Sequence, residues 1–305
     1  MTKTAPFPNE NLNGSFKRQK SLFRDSIKIE SIFRPEKDRY HLYLSYACPW
    51  AHGVLMVLSL KKLETIVSKS FVNPIRDNRG WKFEKKDSPY FDYINGFEYL
   101  SEAYKLMDSK YDLRVTVPVL WDKKTNKIVN NESLDILIML NDEFFDFDNS
   151  DIDLYPINLR SEIDEVNKYI YKNINNGVYK CGFAIKQEIY DFEVNNLFVA
   201  LGMIDKKLSK QKYLVGDTLT LSDIRLFATL IRFDLVYYNH FKTNIKHIYE
   251  YEHLWSYVRS MYHLEDINRT INFEEIKIHY FMTHPTINPS LIVPSGPDIE
   301  QLLKH

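Results

Sequence analysis

Cysteine and long apolar runs are what this sequence lacks most. Its 305 residues include two cysteines, Cys48 and Cys181, which lie too far apart for a CxxC motif or for the ligand spacing of a metal site. A disulfide scaffold is not expected in a chain of this length with so few cysteines. We therefore expect no metal centre and a reducing, cytoplasmic setting.

An excess of charge of one sign is also missing. The formal net charge is −1 and the hydrophobic fraction is 44%, which is typical of a globular protein and gives no electrostatic basis for binding nucleic acid or an anionic membrane. No apolar run approaches the roughly 18–20 residues of a membrane-spanning helix. Residues 1–39 lack the apolar core of a signal peptide, and the acidic residues among them argue against an organelle transit peptide. Nucleic acid and membrane are therefore not the expected partners.

The stretch around Cys48 carries the clearest local signal. An alternating segment, 39–44, precedes Ser45–His52, and the apolar run 54–60 follows. This order predicts a strand, a tight turn and a helix with Cys48 at its start, where Pro49 suits the first helical position. Unpaired backbone N–H groups and the helix dipole there favour a thiolate. The alternative is that Cys48 is a small buried hydrophobe.

The rest of the chain divides into an α/β part and a helical part. Further strands are predicted at 66–72, 115–121 and 127–129, and residues 130–133 open a helix over 134–140. Later helices are predicted at 159–174, 185–209, 221–238, 246–262 and 270–281. Thr220 and Asp223 form the pattern of a capping box. The predicted organisation is an N-terminal extension (1–38), an α/β domain (39–145), a linker (146–158), an all-helical domain (159–287) and a C-terminal tail (288–305).

An ordered set of motifs along nearly the whole chain gives these elements a family context. The chain resembles omega-like glutathione transferases of the cysteine type, and in particular the xi class, the glutathionyl-hydroquinone reductases. The segments that carry the resemblance are Cys48–His52, Gly80–Phe83, Arg114–Trp121, Asn130–Ser133, Asp223–Phe227, Leu230–Asp234, Val236-Tyr237, His240-Phe241, Ile276-Lys277 and His279-Tyr280.

The resemblance implies a fold and an activity. The implied fold is an N-terminal thioredoxin-like α/β domain with a cis proline, here Pro118, followed by an all-α domain. The implied activity is glutathione-dependent reduction of glutathionyl-hydroquinones, with glutathione as co-substrate, no permanently bound cofactor, and a homodimeric assembly. Two alternatives stay open: a broader omega-like thioltransferase or dehydroascorbate reductase, and a non-catalytic glutathione- or ligand-binding protein.

The resemblance also implies a glutathione site. Val117, before Pro118, would pair its backbone with the cysteinyl peptide, Glu132 would take the γ-glutamyl amine, and Ser133 would hold the γ-glutamyl carboxylate. The other implied contacts are Trp81, Arg114, Val115 and Thr116. An ordinary helix cap is the alternative for Glu132 and Ser133, and core packing is the alternative for Trp81.

Catalytic roles follow from the same resemblance. Cys48 would be the nucleophile, Tyr179 would donate and accept a proton, and Tyr237 and Tyr280 would lie near the thiol and lower its pKa. Ala51 stands where a dithiol oxidoreductase carries its second cysteine, which predicts a monothiol mechanism using external glutathione. Cys181 is predicted to be structural.

Three positions depart from the family pattern or qualify it. Gly53 stands where the family usually has arginine, and Phe281 replaces the second tyrosine of His-Tyr-Tyr. Glycine inside a helix costs about 1 kcal/mol relative to alanine. His52 is predicted to be a helix-surface or domain-contact residue and not a catalytic base.

Overall fold

The computed structural model describes residues 10–147 and 150–304. Residues 1–9 of the predicted N-terminal extension, two residues of the predicted linker and the last residue of the predicted tail lie outside the described residues. The chain separates into two compact units. The α/β unit comprises Lys20–Asp153 and Arg269–Glu275, and the helical unit comprises the described residues up to Gln19, Leu154–Asn268 and those from Ile276 onward. The predicted domain boundaries stay a prediction.

The strands form a small hairpin and a four-stranded mixed sheet. In chain order they are β1 (Asn11–Leu12), β2 (Ser15–Phe16), β3 (Tyr40–Leu44), β4 (Ser68–Phe71), β5 (Val119–Asp122) and β6 (Lys127–Asn130). The sheet has the order β4-β3-β5-β6, in which only the β3–β4 pair is parallel. The predicted α/β sheet is confirmed, although β3, β4 and β5 are shorter than their predicted segments, whereas β6 extends one residue beyond its own.

Twelve α-helices occur among the described residues. The α/β unit contains α1 (Pro49–Leu60), α2 (Ser101–Met107) and α3 (Ser133–Asp142). The others are α4 (Arg160–Ile170), α5 (Gly177–Gly182), α6 (Gln187–Leu208), α7 (Leu221–Leu230), α8 (Tyr238–His240), α9 (Glu252–Tyr262), α10 (Glu265–Asn268), α11 (Phe273–Thr283) and α12 (Ile299–Lys304). No helix in the described part of the chain is long and apolar enough to cross a membrane.

Helix α1 begins where the sequence predicts. Cys48 is its N-cap, with extended backbone angles (φ −79°, ψ 120°), and Pro49 occupies the first turn. Because proline has no N–H to leave unpaired and its φ is already helical, it favours a start at this point. Eleven of the twelve residues of α1 are buried, so the helix lies inside the unit, packed against α3.

A buried ion pair ties the first strand of this sheet to its neighbour. Arg39 donates from Nε and Nη2 to the two oxygens of Asp122, each at 2.8 Å, and the Asp122 carboxylate is fully buried. The Arg39 guanidinium helps to hold the pKa of Asp122 below its ordinary value despite burial. In the sheet Tyr40 pairs with Asp122 and Tyr43 with Val119. The side-chain pair and the backbone ladder therefore specify the same register.

Two predicted helices are interrupted by π-helical turns, and a third, predicted as 246–262, is a 3-10 turn, Ile248–Glu250, followed by an extended Tyr251 and then α9. The segment predicted as 159–174 is α4 followed by a π-helical turn, Tyr171–Asn175, and the segment predicted as 221–238 ends at Leu230 before a second π-helical turn, Phe233–Tyr237. Buried Asn175, in the first π-helical turn, donates to the carbonyl of Arg225 and to the hydroxyl of Thr229, so this turn is anchored to α7. The spacing of apolar residues, on which the helix predictions rest, does not distinguish a π-helical turn from an α-helix.

Helices α5, α10 and α12 were not predicted. Helix α5 has only six residues with glycine at both ends, and glycine weakens a helical signal. Helix α12 lies within the predicted tail (288–305), which runs without regular structure from Leu291 to Asp298 before it.

The predicted capping box of α7 is confirmed. The backbone N–H and the hydroxyl of Thr220 both donate to Asp223 at 2.9 Å. The Asp223 carboxylate also accepts from the Leu214 N–H at 2.8 Å and the Tyr257 hydroxyl at 3.2 Å. Burial raises the pKa of Asp223 to about 6, although these hydrogen bonds oppose the rise.

Replacing Asp223 by alanine is expected to lower the free energy of unfolding by about 2–4 kcal/mol, because several buried donors lose their acceptor. Urea unfolding followed by circular dichroism measures the change. Glu250→Ala is the matched control, since Glu250 closes an exposed capping box on His247 and its loss should cost about 1 kcal/mol or less. Equal losses in the two variants would contradict this account of Asp223.

Candidate active site

Cys48 lies at the junction of strand and helix in the α/β unit. Its backbone N–H donates to the carbonyl of Ser45 at 3.3 Å, which closes the turn after β3. The Sγ atom is 3.5 Å from the carbonyl oxygen of Val117 and is half-buried. A thiol at a helix N-terminus faces the end of the helix that favours negative charge.

Val117 and Pro118 lie opposite this thiol. The Val117–Pro118 peptide bond is cis, as predicted, and Val117 is buried. Because β5 begins only at Val119, Val117 lies just outside the sheet ladder. Its position beside Cys48 is the one that the predicted backbone contact to a peptide ligand requires.

The preceding segment is held by a tyrosine that the sequence did not reveal. The Tyr104 hydroxyl donates to the carbonyl of Thr116 at 2.8 Å and accepts the N–H of Thr116 at 3.3 Å. Tyr111 donates to the carbonyl of Arg114 at 3.1 Å. Arg114, Val115 and Thr116 are all half-buried. Tyr104 is one of 21 tyrosines, and nothing in the local sequence distinguishes it.

Glu132 and Ser133 begin helix α3. Glu132 is the N-cap, with extended backbone angles, and Ser133 is the first helical residue and buried. The Glu132 carboxylate accepts from the Ser21 hydroxyl at 2.9 Å. Both residues therefore lie at the end of a helix that favours a bound carboxylate. The same position is equally compatible with the alternative, an ordinary helix cap.

Tyr104 connects these two segments. Its hydroxyl accepts from the side chain of Asn131 at 3.2 Å, in addition to its contacts with Thr116. Asn131 also accepts the N–H of Phe23 at 3.2 Å. One buried hydroxyl thus fixes the spacing between the residues before the cis proline and those that start α3.

Trp81 is in the same unit and is 5% exposed. Its carbonyl accepts the N–H of Leu100 at 3.0 Å, and the guanidinium of Arg76 lies 5.4 Å from the ring centroid. The ring is thus largely packed in the core, while the arginine covers one face.

The three predicted tyrosines meet in the helical unit. The Tyr280 hydroxyl is 2.7 Å from that of Tyr179 and 3.0 Å from that of Tyr237. Helix α5 carries Tyr179, α11 carries Tyr280, and Tyr237 ends the second π-helical turn. Burial raises the pKa of both Tyr237 and Tyr280 well above the ordinary value. These two phenols therefore stay protonated, and Tyr179 is the most exposed of the three, at 8%.

Three further sequence expectations concern residues near these positions. His52 is 1% exposed and bonds through Nε2 to the Thr270 hydroxyl at 2.9 Å. Of the two predicted alternatives, a helix-surface or a domain-contact residue, the first was therefore wrong, because α1 is buried at this level. Gly53 is buried in the same helix.

Cys181 is buried, and burial raises the pKa of its thiol to about 12, which keeps it protonated and supports a structural role. The described residues contain no group of three or more metal-binding side chains.

Comparisons with known proteins agree on the family. The model of the glutathione S-transferase N-terminal domain matches residues 47–143, and that of the C-terminal domain matches residues 187–260. The chain is 43% identical over 295 residues, which are 97% of this chain and 94% of the relative, to glutathionyl-hydroquinone reductase PcpF of Sphingobium chlorophenolicum.

Solved structures give the same result. A xi glutathione transferase from Phanerochaete chrysosporium superimposes with a TM-score of 0.90 at 45% identity, covering 93% of this chain and 98% of that one. The glutathione-bound structure of YqjG from Escherichia coli superimposes with a TM-score of 0.88 at 44% identity, covering 90% and 92%.

Removing the Tyr104 hydroxyl tests whether it positions a glutathione-binding segment. Tyr104→Phe is expected to raise the Kd for glutathione about 5- to 10-fold, which corresponds to the loss of about one hydrogen bond. Calorimetry on the Cys48→Ser background avoids mixed disulfides. Tyr40→Phe is the matched control, since its hydroxyl donates to the Arg34 carbonyl, and it should leave the Kd unchanged. Equal affinities for the Tyr104 and Tyr40 variants would exclude the positioning role.

Proposed function

Because the chain belongs to the xi-class branch of the glutathione transferase family, we propose that it is a glutathione-dependent reductase of glutathionyl-hydroquinones. The observation that carries the proposal is the position of Cys48. Its sulfur starts α1 and faces the Val117 carbonyl before the cis proline. This arrangement supports capture of the glutathione sulfur by a single reactive thiol.

The first proposed step forms a mixed disulfide. The Cys48 thiolate attacks the sulfur of the glutathionyl-hydroquinone, a sulfur–sulfur bond forms, and the bond from sulfur to the ring carbon breaks. The electron pair of that broken bond stays on the ring carbon, which takes a proton and leaves as part of the free hydroquinone. The ring carbon is reduced while the sulfurs are oxidised to the disulfide level.

The second proposed step regenerates the thiolate. A second glutathione, as its thiolate, attacks the glutathionyl sulfur of the mixed disulfide and releases oxidised glutathione. Ala51 leaves no second cysteine within the turn, and the pKa of Cys181, raised by burial, makes that thiol a poor resolving group. Both observations favour an external thiol.

We propose that Glu132 and Ser133 hold the γ-glutamyl end of glutathione, and that Val117 pairs with the cysteinyl peptide. The start of α3 supports the first contact, since backbone N–H groups there suit a carboxylate. Trp81, Arg114, Val115 and Thr116 complete the proposed set.

We propose that Tyr179 supplies the proton to the departing ring. Its hydroxyl is bonded to Tyr280, which is in turn bonded to Tyr237. Since the raised pKa values keep Tyr237 and Tyr280 protonated, these phenols can donate toward a Tyr179 phenolate after proton transfer. Their further role in lowering the pKa of the Cys48 thiol is part of the same proposal.

The nucleophile is tested by the release of oxidised glutathione from glutathionyl-menadiol and glutathione. Cys48→Ser is expected to abolish turnover, because a hydroxyl cannot form the disulfide intermediate. Cys181→Ser is the matched control and should retain turnover. Loss of activity in the Cys181 variant with normal folding, or full activity in the Cys48 variant, would contradict the mechanism. Absence of turnover in the wild type, with glutathione still bound, would favour a binding protein and make Gly53→Arg the next variant.

The proton donor separates this function from a broader thioltransferase or dehydroascorbate reductase. Tyr179→Phe is expected to lower kcat for glutathionyl-menadiol by about 100-fold or more, which is the usual contribution of general acid catalysis. Exchange with a small glutathione mixed disulfide requires no ring protonation and should persist. Equal losses of both activities would argue against Tyr179 as the acid.

The remaining parts of the proposal concern the setting of the enzyme. We propose glutathione as a co-substrate with no permanently bound cofactor, a cytoplasmic location and a homodimer in solution. Light scattering coupled to gel filtration measures the assembly, and a monomeric mass at micromolar concentration would contradict the dimer.

A further inference from the structure

A cation from the N-terminal hairpin covers the ring of Tyr179. The guanidinium carbon of Arg18 lies 4.6 Å from the Tyr179 ring centroid, within the helical unit. Arg18 Nε donates to the side-chain oxygen of Asn176 at 2.8 Å. Asn176 directly precedes α5, the helix that bears Tyr179. The cation is thus fixed to the same turn as the phenol.

The hairpin itself is specified by its sequence. Asn13 and Gly14 both have positive φ, 54° and 99°, and they connect strands paired as Leu12 with Ser15. Asn-Gly is the favoured pair for such a two-residue turn, in which both residues adopt positive φ. Phe16, two residues before Arg18, is buried against the rings of Tyr179 and Phe183. The turn and the buried Phe16 ring together determine the position of the backbone from which the Arg18 side chain extends.

Two hydrogen bonds to Glu10 hold the residues on either side of Arg18. The N–H of Lys17 donates to the carbonyl of Glu10, and the N–H of Gln19 donates to the Glu10 carboxylate, both at 2.6 Å. Arg18 is therefore flanked by bonded residues and is itself half-buried, and its side chain is held where it meets the Tyr179 ring.

Several other ionisable groups surround the tyrosine chain. Tyr280 contacts Tyr179 through its hydroxyl, and the ring of Tyr237 lies 6.0 Å from that of Tyr179. The charge of Arg232 acts on Tyr237 and Tyr280. His240 and His284 pack against the Tyr280 ring, and burial lowers the pKa of His240 to about 4. Arg18 differs from these groups because it lies over the ring of Tyr179 itself.

The geometry points to Arg18 as a positioning residue that stabilises the phenolate form of Tyr179 as its proton is transferred. A cation within about 6 Å of an ionisable group favours the charged state of that group, and a guanidinium over a phenol ring also holds the ring in place. The consequence for catalysis depends on the proposed role of Tyr179 as the acid. The effect on the phenol itself does not, so the two can be tested separately.

The direct test is a spectroscopic titration of Tyr179 in the full-length protein without substrate. Phenolate absorbance is recorded against pH for the wild type and for Arg18→Met, and each curve is corrected by the matching Tyr179→Phe variant. Arg18→Met is expected to raise the Tyr179 titration midpoint by roughly one unit, the lower end of the shift that a nearby opposite charge produces. Arg18→Lys, which keeps a cation, should remain near the wild type.

Two controls separate charge from structure. Arg18→Gln keeps a donor for Asn176 but removes the charge, and it should shift the midpoint as Arg18→Met does. Arg160→Met removes another guanidinium stacked on a tyrosine in the same unit, Tyr155, at 4.7 Å, and it should leave the Tyr179 midpoint unchanged. Equal midpoints for wild type, Arg18→Met and Arg18→Gln would overturn the proposal.

The kinetic counterpart uses glutathionyl-menadiol. Because an acid must be protonated before transfer, the alkaline limb of the kcat profile should move up by roughly one unit in Arg18→Gln, and the plateau should fall several-fold as the phenol becomes a weaker acid. Disulfide exchange should be unchanged. A loss of kcat without any displacement of that limb would indicate a structural role only and would contradict the inference. A titration shift with no reductase activity in the wild type would instead reject the proposed function alone.

Discussion

The antiparallel pairing of β3 with β5 is the constraint on which the thiol environment depends. Tyr43 pairs with Val119, so the end of β3 lies beside the start of β5. The chain leaves β3 toward Cys48 and enters β5 through Val117, which brings the sulfur within 3.5 Å of the Val117 carbonyl. At the opposite end of this strand pair, the Arg39–Asp122 ion pair fixes the same register. A slip by one residue would exchange the two faces of the strand and separate these groups.

Buried hydroxyls hold the segments that the sheet does not pair. Tyr104 bonds to Thr116 and Asn131, and the tyrosine chain of the helical unit joins residues from α5, the second π-helical turn and α11. Buried polar groups are costly unless they are hydrogen-bonded, so each cluster favours one arrangement of its segments. The same property that rigidifies the fold therefore places groups suited to binding and proton transfer.

Local signals predicted the parts of the structure that depend on neighbouring residues. Pro49, the alternating strand before it and the Thr220–Asp223 pattern each act within a few residues, and the start of α1 and the cap of α7 lie where they indicate. Contacts between distant residues left no such signal. Ser21 and Glu132 are 111 positions apart, and Tyr104 and Asn131 are 27 positions apart. The contact between Arg18 and the Tyr179 ring could be recognised only from the fold for the same reason, because the two residues are far apart in the sequence.

The most direct test of the account is a single-turnover reaction in the absence of free glutathione. Reduced protein is mixed with one equivalent of glutathionyl-menadiol, quenched with acid and examined by peptide mass spectrometry. The account predicts one glutathionyl group on Cys48 and one equivalent of released menadiol, with Cys181 unmodified. Release of menadiol without an adduct on Cys48, or an adduct on Cys181 instead, would contradict it.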